Sequence, residues 1–167
     1  SGAGAAATSK PDFRGLLSRV PVLLVLGAGV CIGAGVYTTT GYTVLFVEDA
    51  VGATVATGGL VLAILQVTAS VGKPVAGWLA DVVPGRSRTV TSALLGGQTL
   101  VAGGLFVAVT VAATAVQAGL LFAALGFFAL GSTGRYYAVR STIVTEEELG
   151  TASALGQFAV TLGGLVS

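Results

Sequence analysis

The sequence predicts an all-α integral membrane protein, a bundle of five transmembrane helices. Charge is scarce: eight Lys and Arg and seven Asp and Glu in 167 residues, or 9% charged, against roughly a quarter in an ordinary soluble domain. Apolar residues make up 54% of the chain and the mean hydropathy is +0.93. The charges also cluster, leaving uncharged runs at 20–47, 50–72, 89–134 and 149–167. A soluble chain of this size could not cover its surface with so few charges. Barrel strands would appear as segments of about ten residues alternating apolar and polar. These runs are continuous and longer, so they are read as helices.

A helix needs about 20 apolar residues to cross roughly 30 Å of hydrocarbon. Run 89–134 therefore holds two spans, joined by a turn at Thr110–Thr114. The expected helices lie near 21–47, 53–80, 89–110, 115–140 and 146–167, after a linker at 1–20. Residues 1–10 are small and polar, the composition of a flexible linker, and they lack the basic start and short apolar core of a signal peptide. Lys10, Arg14 and Arg19 precede the first helix, Arg86 and Arg88 lie between the second and third, and Arg135 and Arg140 close the fourth. The turn after the first helix carries only Glu48 and Asp49, and Thr110–Thr114 carries no charge. Basic residues favour the cytoplasmic side, so alternate loops agree on a cytoplasmic chain start in a multi-pass plasma-membrane protein. An odd number of crossings and no initiator methionine lead us to expect a processed chain or a fragment, with at least one helix to follow.

The absence of histidine excludes Ser-His-Asp and Cys-His catalysis within the chain and histidine-based zinc sites. Cys31 is the sole cysteine and cannot form an internal disulfide. A net charge of +1 gives no basis for nucleic-acid binding. No cofactor or metal is expected, and no paired-carboxylate site for an intramembrane enzyme is visible.

Small residues recur at Ala93, Gly97, Gly103 and Gly104, at Gly119, Ala123, Gly126, Gly131 and Gly134, and at Gly156, Gly163 and Gly164. They let helix backbones approach closely in lipid, and they also permit helices to bend and slide. In the second helix, Gln66, Ser70, Lys73 and Gly77 share one face. Lys73 lies about 10 Å inside the expected helix end at Ala80. It either snorkels to headgroups or faces a polar cavity. Gln66 is too deep to snorkel. Pro74 frees a carbonyl one turn back, so a kink is expected there.

The first helix carries the polar run Tyr37-Thr38-Thr39-Thr40-Gly41-Tyr42-Thr43. Its hydroxyls can bond to carbonyls one turn earlier. Tyr37, Thr40 and Gly41 share a face expected to look inward. Arg135, among Ser132, Thr133, Gly134, Tyr136 and Tyr137, is a snorkelling or cavity-lining residue. Thr145-Glu146-Glu147-Glu148 fits a capping box, with three carboxylates in the first turn of the fifth helix suiting its dipole. Pairing of these acids with Arg86 or Arg88 is a second possible role.

The most specific segment is Gly77-Trp78-Leu79-Ala80-Asp81-Val82-Val83-Pro84-Gly85-Arg86-Ser87-Arg88. A carboxylate closes one span, a Pro-Gly turn follows, and two basic residues open the next. It resembles the cytoplasmic signature of the major facilitator superfamily: Gly, three residues, Asp, then a basic residue and Gly shortly before a basic pair. In that family the signature joins the second and third helices of a six-helix half, which is its place here. Val82 stands in the usual basic position, Pro84 adds a residue, and Ser87 splits the basic pair. That wear is similar to the copy in the C-terminal half. Residues 11–19 look like the loop before the seventh helix, and 145–164 like the passage from the tenth to the eleventh. Helices seven to eleven are thus the first assignment, one to five the alternative.

The resemblance implies secondary transport of a small solute by alternating access between two halves. Asp81 would face a helix N-terminus of the other half, and Arg86 and Arg88 would tie down the cytoplasmic face. Gly77, Asp81, Gly85, Arg86 and Arg88 are then signature and gating residues, and Tyr37, Thr40, Gln66, Ser70, Lys73 and Arg135 candidate cavity-lining residues. The expected partners are the bilayer, the missing helices of the other half and the solute. The alternative is a non-transporting membrane module packed against partner helices.

Overall fold

The computed structural model describes residues 13–82 and 88–166, and every regular element among them is helical. The order is α1 (Phe13–Leu17), α2 (Val20–Asp49), α3 (Val55–Val82), α4 (Arg88–Val109), α5 (Ala115–Leu125), α6 (Thr133–Thr142) and α7 (Leu149–Leu165). A π-helical turn, Gly126–Leu130, joins α5 to α6 in one long, interrupted fourth helix. Among the described residues, Val20–Asp49, Val55–Leu79 and Ala115–Ser141 are long and apolar enough to cross a membrane. The outside of the bundle is apolar: Leu24, Leu100, Val107, Leu120 and Phe158 are all largely exposed. A lipid-facing surface looks like this, since hydrocarbon offers no reason to hide such side chains.

Turn chemistry sets the helix ends. At the end of α2, Gly52 takes φ +71°, a left-handed conformation that only glycine adopts without penalty. Its N–H donates to the Glu48 carbonyl at 3.1 Å, and the Ala53 N–H donates to Val47 at 3.1 Å. Thr54 then starts α3, its hydroxyl oxygen accepting the Thr57 N–H at 3.2 Å, the usual threonine cap. Thr114 caps α5 in the same way, accepting from the Gln117 N–H at 3.2 Å. The Gln117 side chain reaches back to accept the Ala113 N–H at 3.0 Å. α3 remains one helix through Pro74, so no break forms at that proline.

The helices pair in two parallel sets. On α2 and α7, Arg19 meets Glu148, Gly29 lies by Ala159, Gly33 by Val160, and Tyr37 by Gly164. On α3 and the fourth helix, Val61 lies by Gly119, Leu65 by Gly126, Gly72 by Phe127 and Gly131, and Ala76 by Arg135. The α2–α3 hairpin, with Gly58 against Val44, joins the two sets. The core lies between them, with Val47, Val61, Leu65, Ala69, Phe122 and Leu125 buried. Phe46 meets Phe122 edge to face at 5.9 Å, a favoured aromatic geometry.

Glycine makes the pairings possible. A Cβ on Gly33 would overlap the Val160 carbonyl oxygen, and one on Gly163 the Val30 carbonyl oxygen. At Gly72 a Cβ would stand 2.5 Å from the Phe127 carbonyl oxygen. The α4 glycines differ from expectation. A methyl group added at Gly97, Gly103 or Gly104 would meet nothing within 4 Å, so no close helix contact depends on them.

The fourth helix departs from the regular span expected at 115–140. The Gly131 N–H donates to the Gly126 carbonyl at 3.1 Å, five residues back, which widens the turn. Carbonyls in and beside the turn also meet side-chain donors. Gln98 Nε2 donates to Phe128 at 2.8 Å, Ser132 Oγ to Ala129 at 2.6 Å, and Thr133 Oγ1 to Leu130 at 2.8 Å.

The start of α7 also differs from the expected cap. Glu146, Glu147 and Glu148 lie in a turn before Leu149, outside the helix's first turn. One half of the capping box forms, with the Thr145 N–H donating to Glu148 Oε2 at 3.2 Å. The expected pairing with Arg86 or Arg88 falls on side chains outside the described residues. Among the described residues Arg19 holds Glu148 through two bonds, Nη2 to Oε1 at 2.9 Å and Nη1 to Oε2 at 3.0 Å. Such fork geometry is the strongest form of a carboxylate pair. It ties the start of α2 to the start of α7, 129 residues later.

Gly33→Ala is expected to lower the stability of the bundle by about 1–3 kcal/mol, the usual cost of overpacking. Gly27→Ala, with open space at the same helix, should leave it unchanged or raise it. Thermal unfolding in detergent compares the two. The Arg19 bonds, then the Thr145 N–H, hold the Glu148 carboxyl below the usual glutamate range. A depressed carboxylate stabilises the fold above its unfolded pKa, and that contribution is lost as pH falls through the lower folded value. Acidification below about pH 4.3, the ordinary glutamate value, should therefore lower the unfolding temperature more in the native protein than in Glu148→Gln. Equal acid sensitivity in the two would show that the pair contributes nothing.

Candidate functional site

Two faces of α3 differ in chemistry. Val61, Leu65, Ala69, Gly72 and Ala76 are buried and face the core and the fourth helix. Gln66, Ser70, Lys73 and Gly77 are exposed, turned about a third of a turn away at 3.6 residues per turn. Ser70 Oγ donates to the Gln66 carbonyl at 2.9 Å, so its hydrogen stays on its own helix. Lys73 has no hydrogen bond or ion pair among the described residues, and Gly77 has open space beside it.

On α2 the threonines also bond inward along their own helix. Thr39 Oγ1 donates to Gly35 at 2.6 Å and Thr40 Oγ1 to Val36 at 2.8 Å, and Thr43 donates to the Thr39 carbonyl. This satisfies hydroxyls in an apolar medium without a partner helix. Tyr37 is exposed, its ring lying where a side chain at position 164 would stand. Gly41 is exposed with open space at its α-carbon.

Arg135 is different. It is 5% exposed and is turned into the bundle between α3, α4 and the fourth helix. Nε donates to the Ala76 carbonyl at 3.2 Å. It lines a cavity of about 250 Å³ with Gly72, Val75, Gln98, Val101 and Phe128. A second cavity, of about 220 Å³, lies between α2, α4 and the π turn and includes Cys31, Thr99 and Ser132. Neither cavity is lined by Tyr37, Thr40, Gln66, Ser70 or Lys73. The α3 stripe lies on an open surface, and Arg135 sits apart from it in a groove whose rim residues Val75, Leu79 and Val101 are exposed.

Gly85 and Arg86 lie outside the described residues, as do the side chains of Asp81 and Arg88. Among the described residues, no three His, Cys, Asp or Glu side chains gather where a metal could sit.

Sequence reasoning missed several polar residues that the fold brings together. Gln98 is an isolated amide deep in the apolar run 89–134, a signal of the same kind as Gln66. Arg140 Nη2 donates to Ser153 Oγ at 3.1 Å and Nη1 to the Ser153 carbonyl at 3.3 Å. Its guanidinium lies 4.8 Å from the Tyr137 ring centre, within cation–π range. The Tyr137 hydroxyl donates to Gln157 Oε1 at 3.2 Å. Tyr136 is buried, its hydroxyl wedged against Gly29 and Gly156. Nothing local in sequence announces these α6–α7 contacts.

Neither a curated relative nor a solved structure matches the chain. The family model of the Major Facilitator Superfamily matches residues 2–167. An all-helical bundle with an apolar exterior is the architecture such membrane transporters require, and with nearly its whole length matched the chain belongs to the Major Facilitator Superfamily.

Proposed function

We propose that the chain is part of a secondary transporter of a small solute that works by alternating access. We assign it to the C-terminal half, as helices seven to eleven, with its start in the cytoplasm and the plasma membrane as its site. The exposed α3 stripe carries this reading. An ammonium on an uncovered helix within hydrocarbon costs about 2.5–3.5 kcal/mol at the centre of a span. Lys73 stands on the same exposed face as Gln66 and Ser70. A water-filled pathway walled by a second set of helices relieves that cost, and it turns Lys73 into a contact for solute or coupling ion. The Gly77–Arg88 loop resembles the family's signature, so Asp81, Arg86 and Arg88 are the proposed gating residues. Arg135 faces away from this pathway, so we assign its cavity a different role.

Solvent access tests the pathway without knowledge of the solute. In the intact parent protein with Cys31→Ala, a cysteine at Ser70 should react with a membrane-impermeant thiol reagent. A cysteine at Leu100, which is 79% exposed on α4, should be protected by lipid. Equal protection at both positions would place the α3 stripe in lipid and remove the pathway. Uptake should be screened in proteoliposomes across solute classes, with and without a proton gradient. Lys73→Ala should abolish uptake of the solute found while leaving expression intact. Unchanged uptake would mean that Lys73 snorkels.

A further inference from the structure

We propose that the groove between α3, α4 and the fourth helix binds an anionic glycerophospholipid, with its phosphate on Arg135 and a headgroup hydroxyl on Gln98. Arg135 is 5% exposed, and its Nε–H to the Ala76 carbonyl is its single hydrogen bond among the described residues. A guanidinium carries five N–H donors, so the four on its terminal nitrogens are left without an acceptor there. An arginine is neutralised far less readily than a lysine; among the described residues no carboxylate pairs with Arg135, and a buried cation left so is costly.

Gln98 presents the complementary need. Its Nε2 is used by the Phe128 carbonyl at 2.8 Å, while Oε1 is buried and has no donor. The two residues line one cavity. Its occupant must offer an anionic acceptor to Arg135 and a hydrogen-bond donor to Gln98. Phosphate next to a hydroxyl-bearing headgroup, as in phosphatidylglycerol, supplies both. A choline headgroup supplies no such donor and leaves the net positive charge uncompensated.

The rim points to a lipid rather than a free ion. Val75, Leu79 and Val101 border the cavity and are exposed apolar residues, a surface along which an acyl chain can lie. Ala76, which Arg135 holds, is six residues from the end of α3 at Val82. That is about 9 Å at 1.5 Å per residue, within reach of the headgroup layer. Basic pockets between membrane helices are a recurrent way of holding anionic lipid. Gly97 borders the groove with nothing within 4 Å of where a Cβ would stand, which leaves the space open.

The test uses the full-length protein purified in neutral detergent, with native mass spectrometry and unfolding temperature as readouts. Phosphatidylglycerol, phosphatidylcholine and inorganic phosphate are added in turn. Phosphatidylglycerol should bind about tenfold more tightly than phosphatidylcholine, the worth of one charge-assisted hydrogen bond, and should raise the unfolding temperature. Inorganic phosphate should do neither. Arg135→Gln should abolish the preference. Gly97→Leu should abolish it as well by filling the groove, and it keeps the test alive if Arg135→Gln does not fold. Equal binding of the two lipids, a preference that survives Gly97→Leu, or a stabilisation reproduced by phosphate alone would each overturn the proposal.

Discussion

Backbone-to-backbone approach between parallel helices holds this bundle together. Lipid is as apolar as leucine, so burying leucine between two helices gains little over leaving it in the bilayer. The gain comes from close packing, which here means removing the side chain. Gly33 and Gly163 let α2 and α7 touch through the Val160 and Val30 carbonyls. Gly72, Gly126 and Gly131 do the same for α3 and the fourth helix. Positions of the other polar groups follow from these crossings. The α3 stripe faces outward because the glycine side of α3 is committed to the fourth helix. Arg135 meets Ala76 because the crossing at Gly72 brings α3 and α6 together one turn further on.

The π turn and the Arg135 cavity are one arrangement. Widening the helix at Gly126–Leu130 releases carbonyls that lipid could not satisfy. Phe128 takes its donor from Gln98 of α4, so the same amide that repairs the turn also lines the cavity, with its oxygen left over. Polar groups in a membrane bundle thus cluster where regular hydrogen bonding lapses, and chemistry can be built on what remains.

Much of the fold was legible because lipid imposes a simple rule on composition. Runs without charge mark spans, and the positions of seven arginines and lysines imply alternating loops. The family was legible in one loop, Gly77 to Arg88, despite its wear. Packing was less so. When lipid surrounds a helix, the buried and exposed faces are both apolar, and periodicity loses its contrast. The glycines of α4 and α7 look alike in sequence, yet Gly97 meets open space while Gly163 lies against a carbonyl. The Arg19–Glu148 pair joins residues that each had an adequate local reading, one as a topological anchor and one as a cap. Arg135 reads in sequence as one polar residue among several on its helix, and its inward turn depends on the π segment, which no local pattern marked.

A π turn lets a helix carry one additional residue without changing the direction in which later side chains point. In an unbroken α-helix from Ala115 to Thr142, everything past Leu130 would be rotated by about 100°, and Arg135 would leave the α3 side. Counting heptads across the fourth helix therefore misplaces its second half. For aligning this chain with others, the informative unit is the frame on either side of Gly126–Leu130. A sequence one residue shorter in that stretch would present the same faces as this one, and a gap placed anywhere else in the helix would be wrong.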